Sequence, residues 1–339
     1  MNDATAKVVQ FIAIGLSFTV SCIVSLLVTP PVRRLAIAIG AVDDPTRDER
    51  RIHTQPIPRL GGLALFLGVL IGAPVGWAAL TASAPLAQKL NTEIGMPWLG
   101  ILVGAVCIVV VGAVDDIIGL GAWMKLLGQI LSALITMLFG ARILFFKLPT
   151  VEGYIYLSTL QSVLLTALWI VMMINAVNLI DGLDGLAAGV SCIAAITLCI
   201  LTLQRNMLSV ACGLVSVAGA CIGFLPYNFN PARIFMGDTG AMLLGYLFAT
   251  MSIVGTVKSA LAIWLLPTTA VVLGYPLVDT LFAILRRALK LQPIFKADKA
   301  HLHHRLLKHG LTHRQAVLIL YALSLALCAV AYALSQLAF

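Results

Sequence analysis

The chain has 339 residues, 60% of them hydrophobic and only 11% charged, with a mean hydropathy of +1.02 and a formal net charge of +8. A soluble globular domain carries roughly 25% charged residues, so this composition excludes one. Membrane spans of about 20 residues each leave no room for a separate soluble catalytic domain. Any chemistry must therefore use short loops and span ends, where polar groups reach water or a protein-lined cavity.

The first apolar stretch, about 8 to 29, has one lysine before it and Arg33 and Arg34 after it. That order reverses a cleavable signal peptide and predicts a first span with its N-terminus outside. Further apolar runs predict spans near 60 to 82, 97 to 114, 124 to 141, 159 to 177, 186 to 203, 208 to 226, 240 to 257, 259 to 284 and 315 to 337. The expected fold is an all-α polytopic membrane protein, residues 1–339 as one domain, with about ten transmembrane helices.

The odd-numbered connections, 30–59, 115–125, 178–185, 227–239 and 285–314, hold 16 of the 22 Lys and Arg residues. The positive-inside rule makes these loops cytoplasmic and puts both termini on the periplasmic or extracellular side. The same loops hold all six histidines and ten of the 14 acids. Topology does not sort acids, so one face is chemically equipped. The seven cysteines lie in apolar runs with no CxxC pair and read as buried thiols. No Cys/His module or aromatic-basic stripe is present, so no nucleic-acid partner is expected.

Five segments carry the candidate chemistry. Asp115 and Asp116 end the third span, where negative charge opposes the helix dipole unless a cation or donor compensates it. Lys125 and Gln129 open the fourth span one turn apart, and the lysine is placed to hold an anionic phosphate. Asn175, Asn178, Asp181 and Asp184 recur at three-residue intervals beside Gly182 and Gly185, a pattern that points to ligand contact. Asn228, Phe235 and the run Gly237-Asp238-Thr239-Gly240 lead into the eighth span; there Asp238 is either an N-cap or a metal ligand, and Phe235 suits base stacking.

Finally, His301, His303, His304 and Arg305 lie where Leu302, Leu306 and Leu307 predict a short amphipathic helix stopping at Gly310. Thr312 and Gln315 form a capping box for the last span. With no HExxH or Cys/His pattern, this cluster fits phosphate or sugar contact better than zinc. Asp279 reads as structural. Together the loops carry the inventory of metal-assisted phosphoryl transfer.

In the order VDD, KLLGQ, NAVNLIDGLDG, NFNPARIFMGDTG and HLHH, these motifs resemble the polyprenyl-phosphate N-acetylhexosamine-1-phosphate transferases across essentially the whole chain. The resemblance implies helices around a cytoplasm-facing cleft in the bacterial cytoplasmic membrane and dependence on Mg²⁺ or Mn²⁺. It implies transfer of a sugar 1-phosphate from a UDP-N-acetylhexosamine to undecaprenyl phosphate, releasing UMP, as the first membrane step of an envelope polysaccharide.

By the same resemblance, Asp238 with Asn178 holds the metal, and Asp181, Asp184, Asn228 and Phe235 serve the nucleotide. Asp115, Asp116 and Lys125 act at the acceptor phosphate. His301, His303, His304 and Arg305 contact the sugar or its phosphates, and HLHHR matches the branch that uses UDP-GlcNAc. The expected partners are the UDP-sugar, the lipid phosphate and the bilayer, with homodimerisation left open. The rival reading is an ion- or proton-coupled transporter, which needs acids near mid-span with access from both faces.

Overall fold

A computed structural model describes residues 3–43, 56–146, 153–258, 265–289 and 302–337. It is helical throughout apart from two two-stranded antiparallel hairpins. One pairs β1 (Val42–Asp43) with β2 (Ile57–Pro58); the other pairs β3 (Phe145–Phe146) with β4 (Ile155–Tyr156).

The helices are α1 (Asp3–Ala38), α2 (Gly62–Leu80), α3 (Ala84–Glu93), α4 (Met96–Ile118), α5 (Ala122–Leu138), α6 (Thr159–Ile180) and α7 (Leu186–Gln204). There follow α8 (Leu208–Asn228), α9 (Gly237–Lys258), α10 (Leu265–Val272), α11 (Gly274–Leu289), α12 (Leu302–Lys308) and α13 (His313–Leu337). Among the described residues, eight of these are each long and apolar enough to cross a membrane.

Two of the ten expected spans depart from that simple form. Helix α5 has 17 residues, about 26 Å at 1.5 Å per residue, short of a bilayer core of about 30 Å. The expected span 259 to 284 is the pair α10 and α11, which meet at a bend of 73°. Helix α1 also runs on to Ala38, through Pro30 and Pro31, where the sequence predicts an end near residue 29. Its packing along α2 and α8 holds it past two residues that lack intrahelical donors.

That packing is written in small residues. Ala13, Ser17, Ser21, Ser25 and Thr29 recur every four residues on α1 and are all fully buried. Opposite them lie Gly68, Gly72 and Gly76 of α2 and Gly219 and Gly223 of α8. A methyl at Gly72 would stand 2.6 Å from Ser21 Cβ, and one at Gly223 would strike the Cys22 carbonyl. Backbones this close gain van der Waals contact that lipid tails cannot supply.

Helices α8 and α9 form the centre, with 89% of each span window buried. Tyr246 of α9 ties it to its neighbours: its hydroxyl meets Thr136 Oγ1 of α5 at 2.6 Å and donates to the Ile101 carbonyl of α4 at 3.1 Å. The sequence reading missed α3, a polar helix too short to span. Its Glu93 accepts from Leu208 N at 3.3 Å and Ser209 N at 2.6 Å, capping the start of α8. All seven cysteines are free thiols.

Candidate functional site

The site lies where α4 ends and α9 begins. Gly112 has no side chain to hold α4 off, since a methyl there would stand 2.5 Å from Thr239 Cα. One turn on, Asp116 therefore reaches the first turn of α9. Its Oδ1 accepts from Asp238 N at 3.0 Å, and its Oδ2 accepts from Thr239 N at 3.0 Å and Thr239 Oγ1 at 2.6 Å. A helix start needs acceptors for its free N–H groups and favours negative charge. Here the cap comes from another helix, and Asp238 is left free of that task. Gly237 has φ +69°, and a methyl on it would run into the Asp116 carboxylate.

Asp115, the neighbouring residue, is 5% exposed and accepts from Leu120 N at 2.7 Å, which closes the turn after α4. Its other oxygen lies 2.7 Å from Lys125 Nζ, and the same ammonium donates to Asp238 Oδ2 at 2.6 Å. Lys125 thus bridges two acids from helices that are distant in sequence. One turn further along α5, Gln129 exchanges amide hydrogen bonds with Asn175 of α6, receiving Asn175 Nδ2 at 2.7 Å. This pair fixes α5, and hence Lys125, against α6.

Asp115, Asp116 and Asp238 each offer a carboxylate oxygen within 4.8 Å of the others. Three hard oxygen donors with no thiolate or imidazole suit a small divalent cation of the Mg²⁺ class. The donors grouped here are the three aspartates, whereas the resemblance pairs Asp238 with Asn178; Asn178 is half-buried in the last turn of α6.

The three-residue repeat from Asn175 to Asp184 is helical only as far as Ile180. Asp181 caps the end of α6. Burial pushes its carboxyl up to about 8, with the charges of Asp238, Asp116 and Asp184 adding to the rise and Arg59 opposing it. Asp184 and Asn228, expected at the nucleotide, are 3% and 2% exposed and bind protein groups. Asp184 Oδ2 accepts from Asn230 Nδ2 and Ala232 N, both at 3.0 Å. Asn228 accepts from Gly185 N and donates to the Ile234 carbonyl, both at 3.1 Å. These bonds shape the loop that carries Phe235, which stays partly exposed.

The β1–β2 hairpin closes this rim. Phe235 N donates to the Pro58 carbonyl at 2.8 Å, while Gly61 N and Gly62 N donate to the carbonyls of Phe235 and Met236 at 3.0 and 2.9 Å. Arg59 lies inside that clamp and pairs with Asp43. It was not singled out from sequence. The only local signal is its place two residues before Gly61-Gly62, where α2 crosses the start of α9 so closely that a methyl on Gly62 would strike Gly240.

In the last loop, His303 is buried and packs over the DGLDG turn, since a methyl on Gly182 would stand 2.6 Å from its Nε2. Arg305 is exposed and lines a separate cavity with α11 and α13. His301 lies outside the described residues, and His304 is placed only as part of the α12 backbone. Asp279 accepts from Leu302 N at 3.0 Å and so anchors the start of α12, the structural part expected of it.

Residues 98–256 match the family described as Glycosyl transferase family 4. A protein of Bacillus subtilis (strain 168), named probable undecaprenyl-phosphate N-acetylglucosaminyl 1-phosphate transferase, is 42% identical over 312 residues, covering 92% of this chain and 82% of the relative. The decaprenyl-phosphate N-acetylglucosaminephosphotransferase of Mycobacterium tuberculosis (strain H37Rv) is 40% identical over 324 residues, 89% of this chain and 77% of the relative. A phospho-N-acetylmuramoyl-pentapeptide-transferase of Moorella thermoacetica is 33% identical over 315 residues, covering 90% and 93%.

Proposed function

This chain belongs to glycosyl transferase family 4, and on that premise we propose that it transfers N-acetylglucosamine 1-phosphate from UDP-GlcNAc to a polyprenyl phosphate. The observation that carries the reading is the Asp115–Lys125–Asp238 bridge beside the capped start of α9. It gathers acids, a cation and oriented backbone at one end of an apolar bundle, where a lipid phosphate and a water-soluble nucleotide can meet. The positive-inside distribution supports a cytoplasmic site in the bacterial inner membrane.

In the reaction, an oxygen of the lipid phosphate attacks the sugar-linked phosphorus. The bond from that phosphorus to the bridging oxygen breaks, and UMP leaves. The product is a lipid diphosphate carrying the sugar. A phosphate monoester has its second pKa near 6, so at neutral pH the acceptor needs little help from a base. Asp115 takes any remaining proton, and Lys125 places its ammonium against phosphate charge. The hydrogen bonds of Asp116 keep Asp238 at its post on α9. Phe235 offers a ring for the uracil, and Arg59 is the cation on the hairpin side of the acids.

Asp238 would hold Mg²⁺ or Mn²⁺ with Asp115 beside it and Asn178 as the further donor that the resemblance implies, and the ion would supply charge neutralisation of the diphosphate. Incubating purified protein with undecaprenyl phosphate, Mg²⁺ and a panel of UDP-sugars tests the reading. UMP should form with UDP-GlcNAc in preference to the other sugars and only when lipid phosphate is present. UMP formed equally without the lipid would make the protein a hydrolase.

A further inference from the structure

Away from the aspartates, α11, α12 and α13 enclose a cavity of about 460 Å³, within the usual range for small-molecule sites. None of the three clustered aspartates lines it. Its lining is ordered along α11. Tyr275, Asp279, Phe282 and Arg286 recur at three- or four-residue steps and so share one face. Leu323 and Leu327 of α13 also line it, as do half-buried Arg286 and the exposed Arg305 of α12.

At the inner end, Tyr275 is 4% exposed, and its hydroxyl has no hydrogen-bond partner among the described residues. A buried hydroxyl without a partner is costly, and such groups call for a ligand or water. The Asp279 carboxylate is already bonded to Leu302 N, which keeps the start of α12 and its arginine level with this part of α11. Among the described residues, the charged side chains that line the cavity are Asp279, Arg286 and Arg305, two cations to one acid.

We propose that this cavity holds the glycerophosphate end of an anionic diacyl phospholipid, acting as a structural ligand that docks α11 and α12 onto α13. The phosphate would lie between Arg286 and Arg305. An ester carbonyl, the acceptor nearest a phospholipid headgroup, would meet the Tyr275 hydroxyl, and the acyl chains would follow the apolar wall into the bilayer. The ester contact is what separates this occupant from a polyprenyl phosphate, whose chain is hydrocarbon directly below the phosphate.

The test uses the full chain, delipidated in detergent and re-supplied with phosphatidylglycerol, phosphatidylcholine of the same chains, or undecaprenyl phosphate, with bound lipid counted by native mass spectrometry. Phosphatidylglycerol should be retained about tenfold better than phosphatidylcholine, since each basic residue near a membrane surface favours anionic lipid. The double variant Arg286→Gln/Arg305→Gln should lose that preference, and Tyr275→Phe should weaken retention. Val278→Trp, which fills the cavity and leaves both arginines in place, should abolish it and provides the answer if the double variant does not fold. Equal retention of the two phospholipids by the unaltered protein would overturn the proposal. So would unchanged phosphatidylglycerol retention in folded Val278→Trp, or its displacement by equimolar undecaprenyl phosphate.

Discussion

Replacing Asp116 with asparagine separates a carboxylate that positions from one that reacts. Asp116 makes three hydrogen bonds to the start of α9, two of them on Oδ2. Asparagine keeps one acceptor, so either Asp238 N or Thr239 N must face an amide NH₂. A hydrogen bond to a charged acceptor is worth about 1.5–3 kcal/mol, and loss of the charge at a helix N-terminus adds about 0.5–1 kcal/mol. Asp116→Asn should therefore destabilise the protein by about 3 kcal/mol. Thr239 limits the damage, because its hydroxyl can turn to accept from the new amide.

Thermal unfolding of the detergent-solubilised protein, followed by tryptophan fluorescence, should show a clear drop in Tm, with UMP release falling at the same time as Asp238 loses its fixed position. Asp115→Asn, which leaves the α9 cap alone but breaks the ion pair with Lys125, should lower UMP release by proportionately more than it lowers Tm. Should Asp116→Asn melt like the unaltered protein and still lose its activity, the carboxylate would act in the chemistry, and the positioning argument would fail.

Three other perturbations follow from the same structure. Gly237→Ala puts a side chain at φ +69° and against Asp116, so it should lower both Tm and turnover; wild-type turnover in a purified variant would refute the close approach. Gly72→Val wedges α1 from α2 far from the acids, and is expected to reduce Tm by more than it reduces the turnover of the folded fraction, as measured on monodisperse protein. Asp181 has a folded-state pKa of about 8 against 3.8 unstructured, so the folded chain binds its proton more tightly and loses stability as pH rises towards 8. With chelator present, Tm should fall between pH 6 and pH 8, by an amount corresponding to at most about 2 kcal/mol. Asp181→Asn should flatten that slope, and an unchanged slope would show that another group sets it.

Much of the scaffold is visible in the residues alone because each span must satisfy its own backbone, so apolar runs and their punctuation mark the helices. The capping box is a local case: Gln315 N donates to Thr312 Oγ1 at 3.3 Å, and Thr312 N to Gln315 Oε1 at 2.9 Å, as the spacing predicts. The amphipathic turn around Leu302 to Leu307 also forms, as α12. What the pattern hides is tertiary. Asp116 and Thr239 are 123 residues apart, and only the crossing at Gly112 makes one the cap of the other. Asn228 and Asp184 stand out in the sequence as polar groups beside apolar runs, but the bonds that both make to loop backbone become visible only in the fold. The polar helix α3 escaped an apolar criterion, and Arg59 gains its meaning from a hairpin of two-residue strands.

The account rests most heavily on which bond breaks, and a donor labelled both in its sugar and at the sugar-linked phosphorus reads that out. With undecaprenyl phosphate and Mg²⁺, both labels should enter the lipid product in equal amounts, with unlabelled UMP released in step. Sugar label in the lipid without the phosphorus label would mean transfer of the sugar alone and would contradict the phosphoryl chemistry assigned to Asp115, Lys125 and Asp238.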